Sequence, residues 1–152
     1  IACDRAANRV DLLRENLERL AVRNARVIQH DWHDDRLPPE LARVRFDRIL
    51  LDAPCSNTGV MRRRVDVRWR LQPGDFARLP NEQFEIARNV IPLLRTGGVF
   101  VYSTCSIEPE ENEEVVTRVV DEFPNLAVAE CKSVLPFRDG FDGAFAARFV
   151  CN

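Results

Sequence analysis

The chain has 152 residues, 45 % hydrophobic and 30 % charged. That is about one domain, long enough to bury a core and too apolar to be disordered throughout. No uninterrupted apolar run approaches the ~20 residues of a membrane span, and the start Ile-Ala-Cys-Asp-Arg is not a signal peptide. Without an initiator Met, the chain is expected to begin inside a larger one.

Net charge is -2, so overall charge does not announce nucleic acid. The distribution is less even. Five arginines fall from Arg62 to Arg70, and acids crowd between Glu108 and Glu114. The cysteines are Cys3, Cys55, Cys105, Cys131 and Cys151. Their odd number, wide spacing and lack of a CxxC pair argue against a disulfide framework and a zinc site. No metal is expected, and a reducing cytoplasm is the expected home.

Short apolar runs alternate with helical patterns, which predicts βαβ units and a parallel sheet. Ile1 to Cys3 reads as the end of a strand. Asp4 follows as the cap of a helix reaching about residue 21, its apolar face formed by Val10, Leu13, Leu17 and Leu20. Residues 26–29 read as the second strand and 30–45 as a loop with one short helical turn. Residues 48–52 are apolar enough to be a strand buried on both faces. A polar, basic loop covers 53–74, then a helix covers 81–94. Pro92 ends or kinks that helix and Gly97-Gly98 stops it. A fourth strand covers 99–103. A helix covers 109–123, with Pro109 in its first turn. Two weaker strands, 126–130 and 144–151, flank a turn with Asp139-Gly140 and Asp142-Gly143.

In open α/β sheets, ligands bind beyond the carboxyl ends of the strands. Those ends carry Asp4, Asp31, Asp52-Ala-Pro-Cys55 and Ser103-Thr-Cys-Ser106. An Asp at an early strand end accepts hydrogen bonds from ribose hydroxyls, but Asp is equally a helix cap or a loop residue. Cys105 is placed just before a helix N-terminus, where the dipole favours a thiolate. Cys55 and Cys105 on neighbouring strand ends could also form a redox pair, although such pairs usually sit in one CxxC turn. His30 and His33 have neither triad nor metal spacing and read as loop residues.

Two stretches resemble a known family. Asp52-Ala-Pro-Cys-Ser-Asn-Thr-Gly-Val60 is similar to the fourth motif of the RNA cytosine-5 methyltransferases of the Sun/Fmu type. Tyr102-Ser-Thr-Cys-Ser-Ile-Glu-Pro-Glu-Glu-Asn-Glu113 is similar to their sixth. The resemblance runs from Asp4 to near Gly143. It implies an α/β, Rossmann-like class I S-adenosylmethionine-dependent methyltransferase fold, with a mostly parallel sheet in the order 3-2-1-4-5-7-6. It implies methyl transfer to C5 of cytosine in RNA, with ribosomal RNA the expected target. Cytosine C5 is a poor nucleophile, and a thiolate added at C6 turns the ring into an enamine that is nucleophilic at C5. By resemblance, Cys105 is the nucleophile and Cys55 assists product release, as the base or through it. Asp52 holds the cytosine N3 and N4 edge and lies near the cofactor's methionine end. Asp4 holds the ribose of S-adenosylmethionine and Asp31 its adenine amino group.

Arg62, Arg63, Arg64, Arg68, Trp69 and Arg70 read either as a solvated loop or as RNA contacts, through phosphates and stacking. The family usually has Pro where Val65 stands, and often His at Phe137. Its glycine-rich first motif and the strand before it are missing. The whole chain, residues 1–152, is therefore expected to be a partial catalytic domain, second strand to last, that binds cofactor poorly alone. The competing reading is a non-catalytic RNA-binding or assembly module with a degenerate cofactor site. A thiol redox protein is a third.

Overall fold

A computed structural model describes residues 1–152, which form two units, 1–42 and 43–152. In the first unit, strand β1 (Ala2–Asp4) pairs in parallel with β2 (Val27–Gln29), Cys3 opposite Ile28. Helix α1 (Ala7–Arg19) makes the crossover. Its face follows the predicted spacing: Val10 is fully buried and Leu13 and Leu17 half-buried, while Leu20 lies past the end and exposed. Asp4 is not the cap. Ala6 holds that position, and Asp4 instead accepts the Ala6 N–H at 2.8 Å, one residue before the helix begins. The loop after β2 has the expected short turn, a 3-10 turn at Pro39–Leu41.

The second unit is built on strands β3 (Phe46–Asp52), β4 (Leu94–Thr104), β5 (Leu126–Val134) and β6 (Ala144–Cys151). Their order is β3-β4-β6-β5. β3 and β4 are parallel, whereas β6 runs antiparallel to both its neighbours. In the family's order the two sheets are strands 2-3 and 4-5-7-6.

β3 is not buried on both faces as predicted. Leu50 is 70 % exposed, and Arg48 and Asp52 on the same face are exposed too, because that face of the strand is uncovered among residues 43–152. Between β3 and β4 come a 3-10 turn (Thr58–Val60), helix α2 (Val67–Arg70) and helix α3 (Asp75–Val90). α3 starts well before residue 81. Pro80 lies inside it with its ring buried, giving up a backbone hydrogen bond to the preceding turn, and Asp75 secures the start by accepting the Gln72 N–H. The helix ends in a 3-10 turn at Ile91–Leu93 that contains Pro92. Gly97-Gly98 is not the stop but an irregular start of β4. The register slips there, and Gly97 takes φ +75°.

Along β4, Phe100, Tyr102 and Thr104 are buried in alternation with half-exposed neighbours, as a strand's period of two requires. Phe100 meets Phe149 of β6 at 5.5 Å between ring centres, and Tyr102 meets Phe145 at 6.5 Å. Ile86 and Val90 of α3, and Val115 and Val119 of helix α4 (Glu113–Glu122), are buried with them. A 3-10 turn at Pro109–Glu111 precedes α4, so the helix starts four residues later than predicted. Helix α5 (Pro136–Asp139) is a single turn ending at Gly140. No helix is long and apolar enough to cross a membrane.

Candidate active site

The carboxyl ends of β3 and β4 lie side by side, with Asp52 opposite Ser103. The chain leaving β3 turns through Pro54 to Cys55, and the chain leaving β4 reaches Cys105. Their Sγ atoms stand 3.1 Å apart, each half-buried. Asn57 holds both. Its Nδ2 donates to the Cys55 carbonyl at 2.8 Å, which turns its Oδ1 to accept the Cys105 thiol at 3.1 Å. Asn57 does this from φ +63°, a left-handed conformation that Asn tolerates better than most side chains.

The pair divides its protons unequally. Cys105 is held below the ordinary thiol range, chiefly by the hydrogen bond from Cys55; burial and the nearby Asp52 carboxylate oppose this. Cys55 is pushed far up, first by that same bond and then by burial. Of the two, Cys105 is the thiol shifted toward ionisation and Cys55 the one shifted toward keeping its hydrogen, and ionising Cys105 gives up its bond to Asn57. The helix-terminus argument for Cys105 does not hold, because α4 begins eight residues further on, at Glu113. The neighbouring thiol supplies the effect instead.

A residue that sequence reasoning missed organises both loops. Glu111 is fully buried, and no cation pairs with it. Its Oε2 accepts the Ser56 N–H at 2.9 Å and Gln83 Nε2 at 2.8 Å, and its Oε1 accepts the Ser106 hydroxyl at 3.0 Å. Ser56 follows Cys55 and Ser106 follows Cys105, so one carboxylate ties together the residues next to both thiols. Gln83 also donates to the Pro54 carbonyl, and the Tyr102 hydroxyl donates to the Glu111 carbonyl at 2.6 Å. Burial raises the Tyr102 phenol well above its ordinary value, so it remains a donor. The only clue in the sequence was one acid within the run from Glu108 to Glu114.

The Asp52 side chain makes no hydrogen bond and is exposed at the end of β3. In the first unit, Asp4 Oδ1 accepts the Ala6 N–H and Arg9, leaving Oδ2 free. Asp31 Oδ1 accepts the His33 N–H at 3.1 Å and meets the His33 ring at 2.7 Å. These two contacts hold its carboxyl below the usual carboxylate range. His33 thus has a partner in Asp31, and His30 packs edge-on against Trp32.

The arginine tract is split between two settings. Arg62 and Arg63 both pair with Asp142, at 2.9 and 2.6 Å. Arg68, Trp69 and Arg70 lie on α2, where Trp69 is 81 % exposed, and Arg64 is exposed ahead of them. No group of three or more His, Cys, Asp or Glu side chains is gathered to hold a metal.

The family model for 16S rRNA methyltransferase RsmB/F matches residues 1–150. Ribosomal RNA small subunit methyltransferase B of Pectobacterium atrosepticum is 40 % identical over the whole chain, and that of Yersinia enterocolitica is 38 % identical over 99 % of it. The chain spans 36 % of the length of each. NSun6 from Pyrococcus horikoshii, solved with SFG, superposes with a TM-score of 0.85 at 29 % identity, over 99 % of this chain and 40 % of that one. A methyltransferase homolog protein from the same organism gives 0.80 at 28 % identity, over 97 % of this chain and 52 % of that one. The fold is that of the class I S-adenosylmethionine-dependent methyltransferases.

Proposed function

Because the chain belongs to the 16S rRNA methyltransferase RsmB/F family, we propose that it forms part of the catalytic domain of an enzyme that methylates C5 of cytosine in ribosomal RNA. The observation that carries this is the Cys55–Cys105 pair, 3.1 Å apart, with Cys105 the more acidic thiol. A non-catalytic module would have no use for two thiols fixed by one buried carboxylate.

Cys105 attacks C6 of the cytosine as a thiolate, its proton passing to solvent. Asp52, whose carboxylate makes no hydrogen bond within the chain, accepts from the N4 amino group and so fixes the N3–N4 edge of the base in place for attack at C6. S-adenosylmethionine, when bound, supplies an electrophilic methyl group for the activated C5. The free Oδ2 of Asp4 fits a ribose hydroxyl, and the free Oδ2 of Asp31 fits the adenine amino group. Cys55 acts last. Its thiol is raised mainly by the bond to Cys105. Once Cys105 is a thioether its charge is gone, and Cys55 can give its proton to solvent. As a thiolate it takes the C5 hydrogen, C5=C6 reforms, and Cys105 leaves as a thiolate.

The arginine tract and Trp69 engage the RNA strand, through phosphate contacts and base stacking. The proposed setting is the cytoplasm, where thiols stay reduced. Residues 1–152 correspond to the second through the last strand of the domain.

The test is methyl transfer by the full-length protein to 16S ribosomal RNA, with 5-methylcytosine read by bisulfite sequencing. Cys105→Ala should abolish it. Cys55→Ala should leave a protein–RNA adduct that survives denaturing gels, since the adduct forms but is not released. A wild-type enzyme that makes no 5-methylcytosine in RNA would end this reading.

A further inference from the structure

Beside the thiol pair lies an apolar groove that the proposed reaction does not use. Met61, Ile107, Pro136, Phe137 and Phe141 line it, with Arg62 at its rim. Phe137 is 80 % exposed and Phe141 72 %, so neither contributes to the core. The turn carrying them is fixed. The Asp139 carboxylate accepts the Leu135 N–H at 2.8 Å and pairs with Arg138, and Gly140 follows at φ +75°. The groove also shares a wall with the active site. The Gly59 N–H donates to the Cys105 carbonyl at 3.0 Å, and the Gly143 N–H donates to the Gly59 carbonyl at 2.7 Å.

We propose that this groove stacks the nucleobase adjacent to the methylated cytosine in a single-stranded RNA. The inference rests on the RNA methyltransferase reading above. A thiolate can reach C6 only from the face of the ring, so the target base must leave its stack. Its neighbour then loses a stacking partner. Two exposed phenylalanines on a rigid turn, next to the nucleophile's own loop, replace that partner. Charge fits as well. Asp142 offsets only one of the two guanidinium groups it holds, and Arg62 Nη1 and Arg63 Nη1 and Nη2 are left to meet a phosphate. A purely hydrophobic partner would gain nothing from those donors.

The test uses the full-length protein with 16S ribosomal RNA as the probe, comparing wild type with the Phe137→Ser/Phe141→Ser double variant. Both positions are exposed, so an unchanged melting temperature is the folding control. The expected result is a KM for RNA raised roughly 5- to 150-fold, the range for losing one stacked base. The KM for S-adenosylmethionine should be unmoved, and Phe137→Tyr/Phe141→Tyr should restore RNA binding. An unchanged RNA KM, while wild type still methylates, overturns the groove and leaves the methyltransferase reading intact. An unchanged RNA KM with loss of a co-purifying protein assigns the groove to a protein partner, which also overturns it. A wild-type enzyme with no methyl transfer to RNA defeats both readings together.

Discussion

The Sγ atoms of Cys55 and Cys105 lie within 3.1 Å of each other, and the contact lowers one thiol while raising the other. A thiol with a lowered value becomes thiolate at lower pH than the ordinary ~8.5. Alkylation follows the thiolate, so its rate rises as pH climbs through that lowered value. Cys3 and Cys131 are both raised, chiefly by burial, and should lag. With iodoacetamide at neutral pH, peptide mapping should find Cys105 labelled first and Cys55 last. In Cys55→Ala the loss of that donor should move the onset of Cys105 labelling to higher pH. An onset unchanged by that substitution would mean that Cys55 does not set the acidity.

Glu111 should matter to the site although it touches neither thiol. Removing its carboxylate leaves the Ser56 N–H and one hydrogen of the Gln83 amide without an acceptor, while the Ser106 hydroxyl can turn to Ser56 or Thr58, and it opens a cavity in the buried site. Each unsatisfied buried group costs about 1–3 kcal/mol, so Glu111→Ala should lose about 3 kcal/mol or more. For a chain of this size that is a fall of roughly 6–12 °C in Tm. Glu111→Gln keeps the volume but presents an amide to one of the donors, and should cost about 1–3 kcal/mol. Calorimetry measures both. A positioning role adds a second sign: the acid limb of the kcat profile in Glu111→Gln should shift, because the two thiols are no longer held in register.

Much of this site could be read from the sequence because it lies at strand ends. Apolar runs placed β3 and β4, and the residues after them followed. Cys55, Cys105 and Asp52 come from that logic, as do Asp4 and Asp31. The spacing of Val10, Leu13 and Leu17 gave α1 correctly. What the sequence hid depends on tertiary neighbours. The apolar string of β3 could not tell that one face of the strand would be uncovered among residues 43–152, with Leu50 exposed. Pro80 masked the first turns of α3, because a proline's cost depends on where its ring packs. Glu111 resembled its solvated neighbours until the fold brought Ser56 and Gln83 to it from 55 and 28 residues away.

The thiol pair should also close under oxidation. Cys105 thiolate attacks hydrogen peroxide, releasing hydroxide and forming a sulfenic acid. The Cys55 sulfur then displaces water from it. The two thiols lose two electrons and two protons, and one peroxide becomes two waters. Non-reducing peptide mapping should show a single Cys55–Cys105 link, with methyl transfer lost and then regained on adding dithiothreitol. Over-oxidation of Cys105 without a link would mean that the two sulfurs do not reach bonding distance in solution.

Gly59 has no room for a side chain. A Cβ there would stand 2.7 Å from the carbonyl oxygens of both Cys105 and Gly143. Both obstacles are backbone, so they cannot swing aside as a flexible side chain would. Gly59→Ala must push the Cys105 loop away, or break the bonds from Gly59 to Cys105 and from Gly143 to Gly59. Overpacking of this kind costs about 1–3 kcal/mol in stability. The kinetic loss should be larger than that cost alone would suggest, since displacing a reacting group by about 1 Å can cost about 100-fold in rate. The expected outcome is a protein that still folds, with a modestly lower Tm, slower adduct formation with RNA and slower peroxide-driven linking of Cys55 to Cys105. If Gly59→Ala lowers Tm but leaves both rates at the wild-type value, the turn supports the fold and does not set the position of Cys105.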